Sequence, residues 1–332
     1  MKFFALAVGI LAGSLLTAMD TDRKVLKLLP KGPYSEARQI GELTDPVLRE
    51  VSGIAASRRT SDILWAINDS GNGALLYGIG LDGRTRGVFH VRDIKNRDWE
   101  DLASFRIDGK AFLLIADIGD NNARRQACVL YIIEEPTIPQ GPAPTKADLA
   151  PFRRIRFVYE DGPRDCEAVA VDLSSGRILL LSKRDTFPRL YELPLSPAGG
   201  ASTVTARFLG EVSTIPPPSE EDLLEDPIFG RFTSQPTAMD IDPSGRVAII
   251  LTYKHAYRYE RVLSETWETA FSRSPQMLEL PKLKQAEALC LGYDGQTLFV
   301  TSERRPASER RPAPLLRMER INDRIRQPFR AE

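Results

Sequence analysis

With 332 residues, 42% of them hydrophobic and 27% charged, the chain has the make-up of an ordinary globular protein and is long enough to bury a large core. Lys+Arg and Asp+Glu balance at 45 each, so no overall field favours nucleic acid or an anionic membrane. Two histidines exclude a zinc site built on several imidazoles and give a Ser-His-Asp triad little support. No GxSxG elbow, P-loop or GxGxxG stands in a suitable setting.

Residues 1–18 read as an export signal: Lys2 precedes an apolar or small run from Phe3 to Ala18, and Asp20 to Lys24 is polar. That run, at about 1.5 Å per residue, reaches about 24 Å against a bilayer core of about 30 Å, which favours a cleaved signal over a spanning helix. An uncleaved N-terminal anchor is the alternative, and would be the only membrane contact. A secreted or periplasmic protein follows from either reading. Residues 19–34 are a connector, 35–320 a single domain expected to act as a monomer, and 321–332 a basic, solvated tail. Cys128, Cys166 and Cys290 are odd in number and widely spaced, so buried thiols are expected rather than a disulfide framework.

After a short strand at Arg38 to Leu43, one pattern returns five times, always with its polar residue in the same place. It appears as Ser52-Gly53-Ile54-Ala55, Glu100-Asp101-Leu102-Ala103, Glu167-Ala168-Val169-Ala170, Thr237-Ala238-Met239-Asp240 and Glu287-Ala288-Leu289-Cys290. Each copy leads through a turn with Gly or Ser into a second apolar run: Ile63 to Ile67, Ala111 to Ala116, Ile178 to Leu181, Val247 to Leu251 and Thr297 to Val300. Third and fourth strands follow in the first four copies, interrupted in the second by a Pro-rich excursion from Pro136 to Pro151. A long loop from Pro216 to Pro236 separates the third copy from the fourth. The fifth copy lacks a fourth strand, and the spare strand at Arg38 to Leu43 would supply it and close the ring.

The expected fold is therefore an all-β propeller. Five blades are favoured, and six are allowed if the Pro216 to Pro236 loop or the tail hides one. Almost no helical pattern is visible beyond Ser219 to Leu224 and Leu263 to Thr269.

In such a blade the start of the innermost strand and the end of the next share one mouth of the central channel. Ser52, Glu100, Glu167, Thr237 and Glu287 would form a ring there, with Asn68, Asp69, Asp117, Lys183, Arg184, Tyr253, Lys254 and Glu303 around it. Three converging glutamates repel unless protonated, paired with Lys183 and Lys254, or bound to a hard cation such as calcium. For a metal, the candidate ligands are Glu100, Glu167, Glu287, Asp117 and Asn68. The competing reading makes the ring residues strand caps that bond the neighbouring blade. Trp65 and Trp99 are expected to pack between blades.

The runs Val51-Ser52-Gly53-Ile54-Ala55, Asn68-Asp69-Ser70-Gly71 after Trp65, Asp98-Trp99-Glu100-Asp101-Leu102-Ala103, Ala116-Asp117-Ile118-Gly119-Asp120-Asn121 and Asp165-Cys166-Glu167-Ala168 carry a resemblance. Together they resemble a family of secreted bacterial propeller proteins, grouped by distant analogy with SdiA-regulated proteins and phytase-like esterases. The likeness runs from about Val51 to Met318. It implies the fold, and at most calcium and a phosphate-ester substrate; Thr237 departs from the glutamate found in three other repeats. Two functions stay open: a binding module for a small ligand or an envelope partner at the channel mouth, and a calcium-assisted hydrolase of an ester, lactone or phosphate ester in which Lys183, Arg184 and Lys254 neutralise an anionic group.

Overall fold

The structure is a computed structural model that describes residues 32–139, 141, 143–197, 203–283, 285–303 and 312–321. The expected signal segment and most of the connector and basic tail lie outside them. Among the described residues the chain is all-β and propeller-like.

β1 is Arg38–Leu43, the strand foreseen ahead of the repeats. The first repeat contributes β2 (Val51–Ala56), β3 (Ile63–Asn68), β4 (Leu75–Gly80) and β5 (Thr85–Val91). The second contributes β6 (Trp99–Ile107), β7 (Lys110–Asp117), β8 (Cys128–Glu134), β9 (Thr145–Leu149) and β10 (Arg153–Tyr159). The third holds β11 (Cys166–Asp172), β12 (Arg177–Ser182), β13 (Arg189–Pro194) and β14 (Val204–Glu211). The fourth holds β15 (Pro236–Ile241), β16 (Val247–Thr252), β17 (His255–Glu260) and β18 (Gln276–Glu279). The fifth has β19 (Ala286–Leu291), β20 (Leu298–Ser302) and β21 (Ala313–Met318).

Sheet order follows the repeats, with two additions. β1 pairs antiparallel with β21 and completes the fifth unit as β1-β21-β20-β19. The Pro136 to Pro151 excursion carries β9, which joins the first unit as a fifth strand, parallel to β5. The second and third units form one eight-stranded sheet because their outer strands β10 and β14 pair parallel. The two short helical stretches appear as α1 (Glu220–Glu225), capped by Ser219 and Asp222, and α2 (Trp267–Phe271).

Position in this layout decides burial. β2, β11, β15 and β19, first strands of their repeats, are buried at every residue, since neighbouring sheets cover both of their faces. An outer strand such as β5 or β10 alternates, with one face in and one out. The first strands pack in a closed cycle, β2 on β6, β6 on β11, β11 on β15, β15 on β19 and β19 on β2. Where β2 meets β6 the approach is so close that a Cβ on Gly53 would lie 2.7 Å from Leu102 N, a distance only glycine allows. Apolar side chains fill the spaces between sheets. Trp65 and Trp99 share one such cluster with Leu102, Leu113 and Ile115, so both tryptophans pack between the first two units. The three cysteines are buried free thiols.

Candidate functional site

One local irregularity recurs in every repeat and builds the mouth. Between the first and second strands the ladder skips one residue of the first strand: between Val51 and Gly53, Trp99 and Asp101, Cys166 and Ala168, Pro236 and Ala238, and Ala286 and Ala288. The skipped residues are Ser52, Glu100, Glu167, Thr237 and Glu287, the five that the repeat alignment aligns. A bulge leaves its extra residue out of the ladder and re-aims its side chain, so the repeated polar position and the repeated bulge are one feature. All five are buried.

The five then divide by chemistry. Ser52 Oγ donates to Trp99 O at 2.7 Å and Thr237 Oγ1 to Ala286 O at 2.8 Å. Each hydroxyl thus ties its repeat to the residue just before the next ring member, the capping role weighed from sequence. The glutamates do not cap. Glu167 Oε2 accepts from Lys183 Nζ, which also donates to Tyr253 OH at 2.7 Å and lies 4.7 Å from the centre of that ring. Burial pushes the Glu167 carboxyl up, and Lys183 pulls it back. Burial lowers Lys183, but Glu167 and Glu287 outweigh it and hold the ammonium above its usual range. The Glu287 carboxyl is pushed to about 8, by burial first, against the pull of Lys183 and with Glu303 adding repulsion. Glu303 stands at about 7 through burial and then the charges of Asp69, Glu50 and Glu167.

Glu100 is different again. It is 7% exposed, and no hydrogen bond or ion pair reaches its carboxylate among the described residues. One oxygen each of Asp69, Asp98 and Glu100 lie within 4.8 Å of one another. Asp98 is raised to about 6, by burial and then by Asp69. Burial, followed by Glu167, Asp69 and Asp98, keeps Glu100 well above its ordinary value.

The remaining expected site residues fall in two groups. Asp69 and Glu303, at the ends of second strands, and Tyr253 and Lys183 join the glutamates electrostatically. Arg184 does not stand free: its Nε donates to Asp165 Oδ2 and its Nη2 to Asn121 Oδ1. Lys254 Nζ donates to Asp222 Oδ1 at 2.6 Å, fastening α1 beside the mouth. Asp117 and Asn68, both named as metal ligands, each have one polar atom engaged. Asp117 is fully buried in an ion pair with Arg125 at 2.6 Å, and the Asn68 amide nitrogen donates to Val47 O at 2.7 Å. Those contacts use Asn68 Nδ2 and Asp117 Oδ1, while Asn68 Oδ1 and Asp117 Oδ2 are buried without a hydrogen-bond partner among the described residues.

Three site residues were not read from the sequence. Asp98 lies in the bend just ahead of β6, two residues before the bulged Glu100, where strand alternation gives no guide to its direction. Asn96 Nδ2 donates to Asn68 O and Asp69 O at 2.9 and 2.8 Å, while its Oδ1 accepts from Trp99 N at 3.1 Å. Gly119 leaves room at the carboxylates: a Cβ there would collide with Glu100 Oε1 and stand 2.6 Å from Asp98 Oδ2.

No protein family's profile matches the chain, and no curated protein does. Among solved structures, a luciferin-regenerating enzyme aligns over 85% of this chain and 94% of its own at 9% identity and a TM-score of 0.42. A nidogen/laminin complex aligns over 77% and 73% at 11% identity and 0.41. Hydrazine synthase of Kuenenia stuttgartiensis aligns over 76% and 80% at 10% identity and 0.40. Likenesses of this strength carry no argument; the strand pairing alone defines the fold.

Proposed function

We propose that this chain is an exported five-bladed propeller that works as a binding module, with the acidic mouth of its channel as the site and a small cation as the ligand. The closed cycle of first strands, one per repeat, supports the blade count. The Phe3 to Ala18 run supports export.

A single observation carries the ligand's sign. Asp69, Asp98, Glu100, Glu167, Glu287 and Glu303 interact with one another, and the cations that reach them, Lys183, Arg184 and Arg125, are each already bonded to a carboxylate. Mutual repulsion favours the protonated forms of these carboxyls, and a cation entering the mouth relieves that repulsion while an anion would add to it. A hydrolase of phosphate esters or other anions would need free cationic groups, and Lys183, Arg184 and Lys254 all have carboxylate partners.

Calorimetric titration of the whole protein with small cations (calcium, magnesium, a polyamine, a quaternary ammonium) and small anions (phosphate, a sugar phosphate, a dicarboxylate) tests this. At least one cation is expected to bind, and more weakly in Glu287→Gln. Binding confined to anions would reverse the reading.

A further inference from the structure

We infer that Asp69, Asp98 and Glu100 form a seat for one hard divalent cation of the calcium type. The inference rests on the reading of the mouth as a cation site and assigns it an ion and a place. Three observations carry it.

The first is the state of Glu100. A buried carboxylate normally accepts two or more hydrogen bonds, yet this one, at 7% exposure, receives none among the described residues. Its neighbours in the ring show that the fold can satisfy this position: Glu167 has Lys183, and Ser52 and Thr237 reach backbone carbonyls. An acceptor left open in that company calls for a partner from outside the chain.

The second is spacing. Oxygens bound at about 2.4 Å to a common calcium ion stand at most about 4.8 Å apart. One oxygen each from Asp69, Asp98 and Glu100 meets that bound. Three carboxylates give a hard site, and the half-buried Asp69 and Asp98 leave a side open for the water that completes such a shell.

The third is support. Asn96 binds the carbonyls of Asn68 and Asp69 with one end of its amide and Trp99 N with the other, so Asp69 is fixed relative to Glu100 although they are distant in the chain. Ile118 N and Gly119 N both donate to Asp98 O, at 3.1 and 3.2 Å, which fixes Asp98 from the other side. Gly119 supplies the space: any side chain there would drive into Glu100 Oε1 and Asp98 Oδ2. Outer groups that orient ligands in this way are a regular part of metal sites.

The test uses the full chain, stripped with chelator and titrated calorimetrically with calcium and with magnesium, with melting followed in parallel. One equivalent of calcium is expected to bind and raise the melting temperature. Glu100→Gln, Asp98→Asn and Gly119→Ala should each weaken binding at least tenfold, and Glu303→Gln less than threefold. Asp98 is only half-buried, so Asp98→Asn serves if Glu100→Gln fails to fold. No calcium binding by the wild-type protein, or undiminished binding by Asp98→Asn, would overturn the assignment. An organic cation that binds while metals do not would overturn it and leave the function proposed above standing; no cation binding at all would remove both.

Discussion

Glu100 and Asp101 are adjacent on β6, both buried and both acidic, and their surroundings could hardly differ more. Asp101 Oδ1 accepts from Leu102 N at 2.8 Å, and its Oδ2 from Val169 N at 2.8 Å and Met239 N at 3.2 Å. One carboxylate thus joins the first strands of the second, third and fourth repeats. Asp240 extends the pattern, accepting from Ile241 N and from Leu291 N of β19, both at 2.8 Å. Among the described residues nothing donates to Glu100. Saturation, not burial or charge, separates the carboxylates that hold the ring together from the one left available for a ligand.

Removing Asp101 should break the comparison from the structural side. Asp101→Ala leaves three buried N–H groups unpaired at roughly 1–3 kcal/mol each, for an expected loss of about 4 kcal/mol in urea unfolding. Glu100→Gln next to it should change metal-free stability by less than about 1 kcal/mol. Equal losses from the two would erase the distinction.

Lys183 comes next. Both partners of its pair with Glu167 are nearly inaccessible, and cutting such a pair by Lys183→Met should cost about 3 kcal/mol by leaving the carboxylate unpaired. Adding Glu167→Gln should recover most of that loss, and a double-mutant unfolding series measures the coupling. No recovery would mean that Lys183 acts mainly through Tyr253.

The smallest expected effect is on pH dependence. Glu287 and Glu303, near 8 and 7 in the folded chain, lie above their ordinary 4.5, so folding favours their protonated forms. The stability they contribute is fully present below about 4.5 and is lost as pH rises through 7 and 8. Metal-free melting temperature should therefore fall between pH 5 and 8.5, with the slope flattened in Glu287→Gln. A rise over that interval in wild type, absent from Glu287→Gln, would show that these carboxyls are stabilised as anions.

Much of the molecule was legible because repeats are self-checking. Arg38–Leu43 has the bounds its pattern indicates, and the repeated apolar runs Ile63 to Ile67 and Ile178 to Leu181 lie within β3 and β12. β9 was hidden in the Pro136 to Pro151 excursion because Thr145–Leu149 is short, mostly exposed and strand-like only beside β5, a partner distant in the chain. The ring positions were legible for the same reason as the strands, since one bulge recurs at one place. Their division into caps, an ion pair and an open carboxylate was not. It depends on which neighbours arrive from other repeats, and Asn96 and Gly119 act through a carbonyl contact and through empty space, neither of which leaves a mark in composition.

The pairing of β1 with β21 also bears on how the molecule is assembled. The last sheet borrows its edge from the beginning of the chain, so residues near 38–43 must wait, unpaired, until residues 313–318 have been made. Closure is then a final, long-range event that links early and late synthesis. The neighbouring bridge from Tyr34 to Arg320 brings both ends of the domain to one spot, so a rearranged gene that fuses them and starts the chain at the turn after β18 should yield the same ring, with β21 and β1 then joined as a local hairpin.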